Sequence, residues 1–226
     1  MKLEGYEMDQ TLKEKLVKSY DAEAHRRNED VTPEWKDAER ETFLGWMIEE
    51  KTSSVLDLGA GPGKDSLFFQ ENGIHPFAVD ISPEMISLCR EKEVQAEVLS
   101  CDEVNKLGRK FDAVWAMNSL LHIQKKDIET VLREIHDLLN ERGLFYLGLY
   151  GGDNKEGVWE DDHYEPKRFF SFHSSTAIQQ LVATYFTIEN VVVLPPHTVG
   201  SQLEFQSLIL RKKGSIGKNN ISGQAK

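Results

Sequence analysis

Val55-Leu56-Asp57-Leu58-Gly59-Ala60-Gly61-Pro62-Gly63 is a short apolar run that leads into three alternating glycines. Glycine has no Cβ, so such a turn lets the backbone bend sharply and lets its N–H groups approach a ligand. The spacing is G-x-G-x-G, and Lys64 stands where the G-x-G-x-x-G fingerprint of dinucleotide-binding proteins has its third glycine. A glycine turn can be a plain connector, but this one predicts a strand, a turn and a helix around a nucleotide site of another kind.

The pattern of apolar and polar residues around this turn predicts an α/β fold. From Ser54 onward, short apolar runs predict strands near residues 54–58, 76–80, 97–99, 111–116 and 144–150, and amphipathic stretches predict helices near 64–72, 83–92 and 127–139. Such alternation gives a parallel sheet with helices on both faces. Two further strands, 187–194 and 203–210, are joined too closely for a crossover helix and should pair antiparallel. We expect a doubly wound, Rossmann-like, seven-stranded sheet that is mostly parallel with an antiparallel last strand.

The domain organisation follows from changes in composition along the chain. Residues 1–50 are polar with helical spacing, and Pro33 suits the first position of a second helix that Thr32 would cap. Residues 151–173 form a long, aromatic and charged insertion on the expected substrate side. We predict a single domain over residues 1–213, with an N-terminal helical cap at 1–50, and a disordered tail at 214–226.

Composition limits the class of protein. With 226 residues, 39% of them hydrophobic, the chain can build a full core, and its formal net charge of −11 argues against nucleic acid as a partner. Cys89 and Cys101 are too few for a disulfide framework and lack metal-ligand spacing. The N-terminus lacks a signal-peptide core, and no apolar run reaches the roughly 20 residues that cross a bilayer. These features predict a soluble cytoplasmic protein with no bound metal and no membrane partner.

Acidic residues at two predicted strand ends complete the candidate nucleotide site. Asp80 ends the second strand, 17 residues beyond the last glycine of the turn. A carboxylate there can accept hydrogen bonds from both ribose hydroxyls of an adenosine, whereas the alternative role of helix cap already belongs to Ser82. Asp102 follows the third strand, where it could accept the adenine amino group or face solvent. Ile81 and Met85 could sandwich the adenine or belong to the core.

Together these motifs resemble the class I S-adenosylmethionine-dependent methyltransferases. The first motif of that family, an acid, a hydrophobic residue and G-x-G-x-G, is matched by residues 57–63, and its acid at the end of strand two is matched by Asp80. Asp102 and residues 111–118 match two further motifs. The resemblance is strong over residues 54–150 and looser over the rest. It implies S-adenosyl-L-methionine as the cofactor and an antiparallel seventh strand at 203–210.

The resemblance also implies roles for individual residues. Cys101 and Asp102 would flank the adenine edge, the Met117 carbonyl would accept from the methionine ammonium group, and Asp57 would orient the glycine turn. Tyr20 would cap the cofactor from the N-terminal helices, with packing under the second helix as the alternative. The implied cofactor-binding residues are Tyr20, Gly59, Ala60, Gly61, Asp80, Ile81, Cys101, Asp102 and Met117.

The acceptor side is defined less sharply. Methyl transfer from a sulfonium depends mainly on alignment, and a base is needed only when the acceptor must lose a proton, so no catalytic residue is defined. His122 resembles a histidine common after the fourth strand of the family, where it orients a loop or takes part in catalysis. Arg168 would pair with an acidic acceptor, whereas the acidic run at 160–162 would favour a cationic one such as an amine. The candidate substrate residues are His122, Tyr150, His163 and Arg168.

The sequence therefore predicts a methyltransferase that moves a methyl group to an oxygen or nitrogen atom of a small-molecule acceptor by in-line displacement. Two alternatives stay open: a macromolecule methyltransferase acting on RNA or protein, and a non-catalytic S-adenosylmethionine-binding protein. Ala116-Met117-Asn118-Ser119 stands where base-amino methyltransferases carry Asn-Pro-Pro-Tyr, which argues against adenine in DNA or RNA. A nicotinamide-dependent oxidoreductase is disfavoured by the glycine spacing. The motifs leave the acceptor and the oligomeric state open.

Overall fold

The structure is a computed structural model that describes residues 9–214. In that range the helices are α1 (Gln10–Glu29), α2 (Glu34–Glu49), α3 (Lys64–Glu71), α4 (Pro83–Glu91), α5 (Ile128–Leu138), α6 (Ser175–Val182) and α7 (Pro196–Val199). The strands are β1 (Ser54–Leu58), β2 (His75–Asp80), β3 (Ala96–Val98), β4 (Phe111–Met117), β5 (Leu139–Gly151), β6 (Glu156–Val158), β7 (Phe169–Ser171), β8 (Phe186–Leu194) and β9 (Glu204–Lys212). Short 3-10 helices cover Cys101–Leu107 and Leu120–His122. The predicted disordered tail lies outside the described residues except for Gly214, as do residues 1–8 of the N-terminal cap.

Seven of these strands form one sheet in the order β3-β2-β1-β4-β5-β9-β8. Strands β1 to β5 are mutually parallel, and β9 lies antiparallel between β5 and β8. Between β8 and β9 the chain forms only the single-turn helix α7, which is too short for a parallel crossover. The predicted fold class, a doubly wound and mostly parallel seven-stranded sheet with an antiparallel last strand, is confirmed.

Helices cover both faces of the sheet through apolar stripes. Helix α5 buries an apolar stripe that includes Ile128, Val131, Leu132 and Ile135. On the opposite face, α2 places Phe43 against Trp115 of β4, and the Trp115 ring stacks on Tyr146 of β5 with centroids 4.0 Å apart. Neighbouring residues of a strand point to opposite faces of the sheet, so one apolar cluster packs on each face. The close packing of both clusters stabilises the position of the sheet edge.

Two local predictions differ from the structure. Helix α2 begins at Glu34 with Pro33 as its N-cap residue and without a side-chain cap, so the assignment of Thr32 as cap is wrong. The insertion at 151–173 contains an antiparallel pair, β6 with β7, that was not predicted. Each of these strands has three residues, too few for an alternating pattern to reveal them.

The fold opens a crevice at the carboxyl edge of the sheet. The neighbouring strands β1 and β4 connect to helices on opposite sides at this point, which is where open α/β sheets bind ligands. Helix α1 and the loop between β6 and β7 lie over the crevice. Among the described residues, no helix combines the length and the apolar character needed to cross a membrane.

Candidate active site

The glycine turn after β1 needs glycine for its backbone conformation. Gly59, Gly61 and Gly63 have φ values of +76°, +54° and +79°, in the left-handed region that L-residues rarely occupy. A Cβ on Gly59 would lie 2.3 Å from Cβ of Ser119, and one on Gly63 would lie 2.8 Å from Sγ of Cys89. The alternating glycines therefore allow both the turn and the close approach of the segments around it.

The N–H groups of this turn are already used within the protein. The N–H groups of Gly59 and Ala60 donate to the Val79 carbonyl at 2.8 and 3.0 Å, and that of Gly61 donates to Oδ2 of Asp80 at 2.8 Å. The expectation that these N–H groups face a ligand is therefore wrong. A pyrophosphate is bound through free N–H groups at such a turn, so their engagement further disfavours a nicotinamide dinucleotide.

Asp80 stands at the end of β2 and joins the turn to the start of α4. Its Oδ1 accepts from the Ser82 N–H at 2.9 Å, while the Ser82 hydroxyl caps α4 by accepting from the Met85 N–H at 3.1 Å. Burial raises the pKa of Asp80, and the N–H groups of Ser82 and Gly61 together with the charge of Arg27 oppose that rise. A carboxylate has about four lone-pair positions, so Asp80 keeps acceptor capacity for two ligand hydroxyls.

Asp57, the acid before the turn, is held away from solvent beneath it. It is buried and accepts a hydrogen bond from the Ser66 hydroxyl of α3 at 2.6 Å. Burial, with the negative charge of Asp65 adding to it, raises the pKa of Asp57 to about 8. It does not line the ligand cavity, as expected of a residue that orients the turn.

Asp57→Asn is expected to change how stability depends on pH. With a raised pKa, native Asp57 keeps its proton to higher pH than the unfolded chain does, so its contribution to stability falls as pH rises from about 4 to about 8. Asparagine keeps an acceptor for Ser66 without ionising, so the variant should gain on the wild type by up to about 1.4 kcal/mol per pH unit in that window. Urea unfolding at pH 5, 6 and 7 measures this, with Asp161→Asn as a surface control. A difference independent of pH would contradict it.

A cavity of about 550 Å³ opens above the turn. It brings together every predicted site residue except Asp102. The predicted residues that line it are Tyr20, Gly59, Ala60, Gly61, Asp80, Ile81, Cys101, Met117, His122, Tyr150, His163 and Arg168. Within the described residues, no group of three or more His, Cys, Asp or Glu side chains is placed to hold a metal ion.

Asp102 and Met85 lie elsewhere. Oδ2 of Asp102 is 2.8 Å from Nζ of Lys13 on α1, its side chain is almost fully buried, and it also accepts from the Ser100 hydroxyl. Met85 is fully buried in a cluster with Ala24 and does not line the cavity. Met85 is thus a core residue, and Asp102 is paired with a lysine.

Tyr20 joins α1 to the acceptor side of the cavity through hydrogen bonds. Its oxygen is 2.6 Å from Nε2 of His122, whose Nδ1 is 2.7 Å from the Phe169 carbonyl. A carbonyl can only accept, so Nδ1 carries the proton and Nε2 accepts from the Tyr20 hydroxyl. Arg168 donates to the same Tyr20 oxygen at 3.2 Å. Burial, supported by the charge of Arg168, lowers the pKa of His122 to about 3, and burial raises that of Tyr20.

The charges of the insertion are arranged differently from the prediction. Nε and NH2 of Arg168 donate to the two carboxylate oxygens of Asp162, both at 2.8 Å, so its charge is already matched within the protein. Hydrogen bonds and charge from Arg168 lower the pKa of Asp162 to about 2 against the effect of burial. Glu160 and Asp161 are exposed and do not line the cavity. The acidic run therefore gives no support for a cationic acceptor.

Three cationic residues of the cavity wall were not predicted: Arg27, Lys36 and Lys64. Arg27 lies seven residues after Tyr20, two helical turns along the same face of α1. Its NH2 would be 3.9 Å from a Cβ on Gly61, and its NH1 donates to the Tyr164 hydroxyl at 3.1 Å. Helical spacing from Tyr20 was the signal that could have identified Arg27.

The sheet order, the antiparallel β9 and a glycine turn tied to an acid on β2 define the class I methyltransferase type of Rossmann-like fold. Residues 55–143 match the family model described as a methyltransferase domain. This match supports the predicted family, the class I S-adenosylmethionine-dependent methyltransferases, for that part of the chain.

The similar proteins are methyltransferases whose names specify different methyl acceptors. Phosphoethanolamine N-methyltransferase 1 of Arabidopsis thaliana is 27% identical over 147 residues, 62% of this chain and 30% of that protein. Malonyl-[acyl-carrier protein] O-methyltransferase of Hamiltonella defensa is 30% identical over 142 residues, 60% of this chain and 53% of that protein. The chain thus spans between about a third and a half of these relatives.

One solved structure has a similar fold over nearly the whole chain. It is the 1,6-didemethyltoxoflavin-N1-methyltransferase of Burkholderia thailandensis, determined with bound 1,6-didemethyltoxoflavin and S-adenosylhomocysteine. The TM-score is 0.69 at 22% identity, with 92% of each chain covered. The comparison supports the fold from α1 to β9, including elements outside residues 55–143.

Proposed function

We propose that this protein transfers the methyl group of S-adenosylmethionine to a small molecule bound in the same cavity. The observation that carries the proposal is the single cavity of about 550 Å³ that joins the glycine turn and Asp80 to Tyr20, His122 and Tyr150. Small-molecule sites commonly measure roughly 300–1,000 Å³. When bound, S-adenosylmethionine would supply an electrophilic methyl group: an acceptor lone pair would form a bond to the methyl carbon in line with the breaking carbon–sulfur bond, whose electron pair would stay on sulfur in S-adenosylhomocysteine.

The cofactor face fits the parts of S-adenosylmethionine. Asp80 has free lone pairs for the ribose hydroxyls, while Ile81 and Cys101 offer apolar contact for the adenine. Asp102 would contribute only after release from Lys13. Around Gly61, the absence of side chains leaves room for the methionine part, and Arg27 provides a cation beside it for the carboxylate.

The acceptor face offers groups that can orient a ligand. Tyr150 and Phe170 give it apolar walls, and Tyr20 presents a hydroxyl whose direction His122 and Arg168 fix. With a pKa near 3, His122 is a weak base, so it serves to hold the Tyr20 proton in place. We therefore assign Tyr20 and His122 to positioning, which supplies much of the rate in a displacement reaction.

The same proposal covers the domain and its setting. We propose one domain over residues 1–213, in which α1 and α2 close over the sheet edge and the insertion at 151–173 forms part of the acceptor side. Cys89 and Cys101 are free thiols, which supports the predicted reducing, cytoplasmic setting. The names of the relatives, which include N- and O-methyltransferases, support a small-molecule acceptor.

Two measurements test the proposal. Calorimetry should show S-adenosylmethionine and S-adenosylhomocysteine binding at one site, and labelled methyl groups should pass to at least one member of a panel of amines, phenols and carboxylates. Absence of cofactor binding would overturn the proposal. Tight binding without transfer to any small molecule would favour the non-catalytic alternative, and transfer only to RNA or protein would favour the macromolecule one.

Tyr20→Phe is expected to lower kcat with little change in cofactor affinity. The substitution removes the hydroxyl between His122 and Arg168, and misplacing a reacting group by about 1 Å can cost on the order of 100-fold. We expect a loss of about 10- to 100-fold in kcat and less than about threefold change in the Kd for S-adenosylhomocysteine. Tyr185→Phe is the control, because that hydroxyl makes no hydrogen bond within residues 9–214. Equal kcat in both variants would place Tyr20 in a packing role.

A further inference from the structure

Three cations of the cavity wall have no ion-pair partner among the described residues. Arg27, Lys36 and Lys64 all line the cavity, and none has a carboxylate oxygen within 4.0 Å in that part of the chain. This is unusual for a protein with a formal net charge of −11. Cations without an ion-pair partner in a concave site attract ligands of the opposite sign.

The acids of the same wall are already engaged. Asp30 is 3.2 Å from NH1 of Arg26, and Oδ1 of Asp65 is 3.0 Å from NH1 of Arg40. The remaining Asp65 oxygen accepts from Nε1 of Trp115 at 3.0 Å. Asp80 is held by two backbone N–H groups. These carboxylates are therefore not placed to pair with the three cations.

Lys36 is the cation with the fewest partners. Lys64 donates to the Asp30 carbonyl and Arg27 to the Tyr164 hydroxyl. Within the described residues the Lys36 ammonium makes no hydrogen bond or ion pair, and it lies 5.4 Å from the centroid of the Trp35 ring. Burial and the positive charge of Arg27 lower the pKa of Lys36, and the negative charge of Asp65 opposes them. A partly buried ammonium without an ion-pair partner is costly, so a ligand anion would be stabilising there.

The cofactor alone does not account for this charge. S-adenosylmethionine has one carboxylate, which suits Arg27, and it brings two positive groups, the ammonium and the sulfonium. Its binding therefore makes the cavity more positive in total. Arg168, the residue that the sequence suggested for an acidic acceptor, is already matched by Asp162.

We propose that the methyl acceptor carries an anionic group, a carboxylate or a phosphate, and that Lys36 binds it. The inference rests on the proposed function and adds the substrate class. Lys36 lies in the first turn of α2, beside Trp35, whose ring contacts Tyr150 with centroids 6.3 Å apart. The anion would thus sit next to the apolar wall of the acceptor face, with its charge on Lys36 and its carbon frame on Tyr150.

The test compares two probes of the same shape, benzoate and benzamide, on protein saturated with S-adenosylhomocysteine. Calorimetry on the wild type should show benzoate binding at least about tenfold more tightly, the scale of a hydrogen bond to a charged group. Lys36→Gln should abolish this preference, and Lys36→Arg should retain it. Lys126→Gln, at an exposed position away from the cavity, is the control for loss of one surface charge.

The outcomes separate the inference from the proposed function. Equal binding of both probes, or a preference for benzoate that survives Lys36→Gln, would overturn the inference while cofactor binding still supports a methyltransferase. If neither probe binds, inorganic phosphate is titrated in their place, and no phosphate binding that depends on Lys36 would also overturn it. If the wild type did not bind S-adenosylhomocysteine, the proposed methyltransferase function itself would be contradicted.

Discussion

Asp80→Ala should weaken S-adenosylmethionine binding by about 1.5–3 kcal/mol, or about 10- to 150-fold in Kd. Among the described residues, Asp80 is the only acid that both lines the cavity and is fixed by the glycine turn, through the Gly61 N–H at 2.8 Å. The variant removes the acceptor proposed for the ribose hydroxyls. It also leaves the N–H groups of Gly61 and Ser82 without their partner, which loosens the turn.

Isothermal titration with S-adenosylmethionine and S-adenosylhomocysteine measures this effect. Asp80→Asn separates the two contributions, because its amide oxygen can still accept one backbone hydrogen bond while the charge is lost. Asp161→Asn, on the exposed part of the insertion, controls for the change in net charge. A Kd within threefold of the wild type in Asp80→Ala, with unfolding unchanged, would refute the assignment of Asp80 to the cofactor.

Gly59→Ala should destabilise the fold more than any other single methyl addition proposed here. The residue has a φ of +76°, and its new Cβ would lie 2.3 Å from Cβ of Ser119. The left-handed conformation costs a non-glycine residue about 1–2 kcal/mol, and forcing a methyl into a packed site costs about 1–3 kcal/mol more. We therefore expect a loss of about 2–5 kcal/mol in the free energy of unfolding.

Gly73→Ala is the matched control for this experiment. Gly73 has a nearly identical φ of +80°, but a Cβ there meets no atom within 4 Å. Gly73→Ala should therefore lower the free energy of unfolding only by the cost of the left-handed conformation. The difference in free energy of unfolding between the two variants then measures the effect of the contact with Ser119. Urea unfolding followed by circular dichroism measures both. Equal losses would mean that the Ser119 segment moves aside freely.

The parts of the site that sequence predicted are those set by local chemistry. Gly59 and Gly61 bend the chain by their own conformational freedom, and Asp80 follows β2 directly, so spacing alone locates them. The sheet order likewise follows from short connections and right-handed crossovers. These features need no knowledge of which distant side chains meet.

The features that the sequence did not reveal are contacts between distant segments. Asp102 pairs with Lys13 and Arg168 with Asp162, and no periodic pattern relates the partners in either pair. A charged side chain in the sequence shows its sign but not its partner, so Arg168 looked free for a substrate. Lys36 was missed for the same reason, because what distinguishes it is the lack of a hydrogen bond or ion pair to its ammonium within residues 9–214.

Helix α1 reaches both the proposed cofactor side and the proposed acceptor side of the site. Lys13 holds Asp102 on the adenine side, Tyr20 faces the acceptor, and Arg27 lies beside Gly61. Lys13 and Arg27 are 14 residues apart, about 21 Å along a helix at roughly 1.5 Å per residue. Any outward movement of this helix as a rigid body would weaken the binding of the cofactor and of the acceptor at the same time. Release of S-adenosylhomocysteine and release of the methylated product would then depend on the same movement of helix α1. The rate of that movement would set the upper limit on kcat.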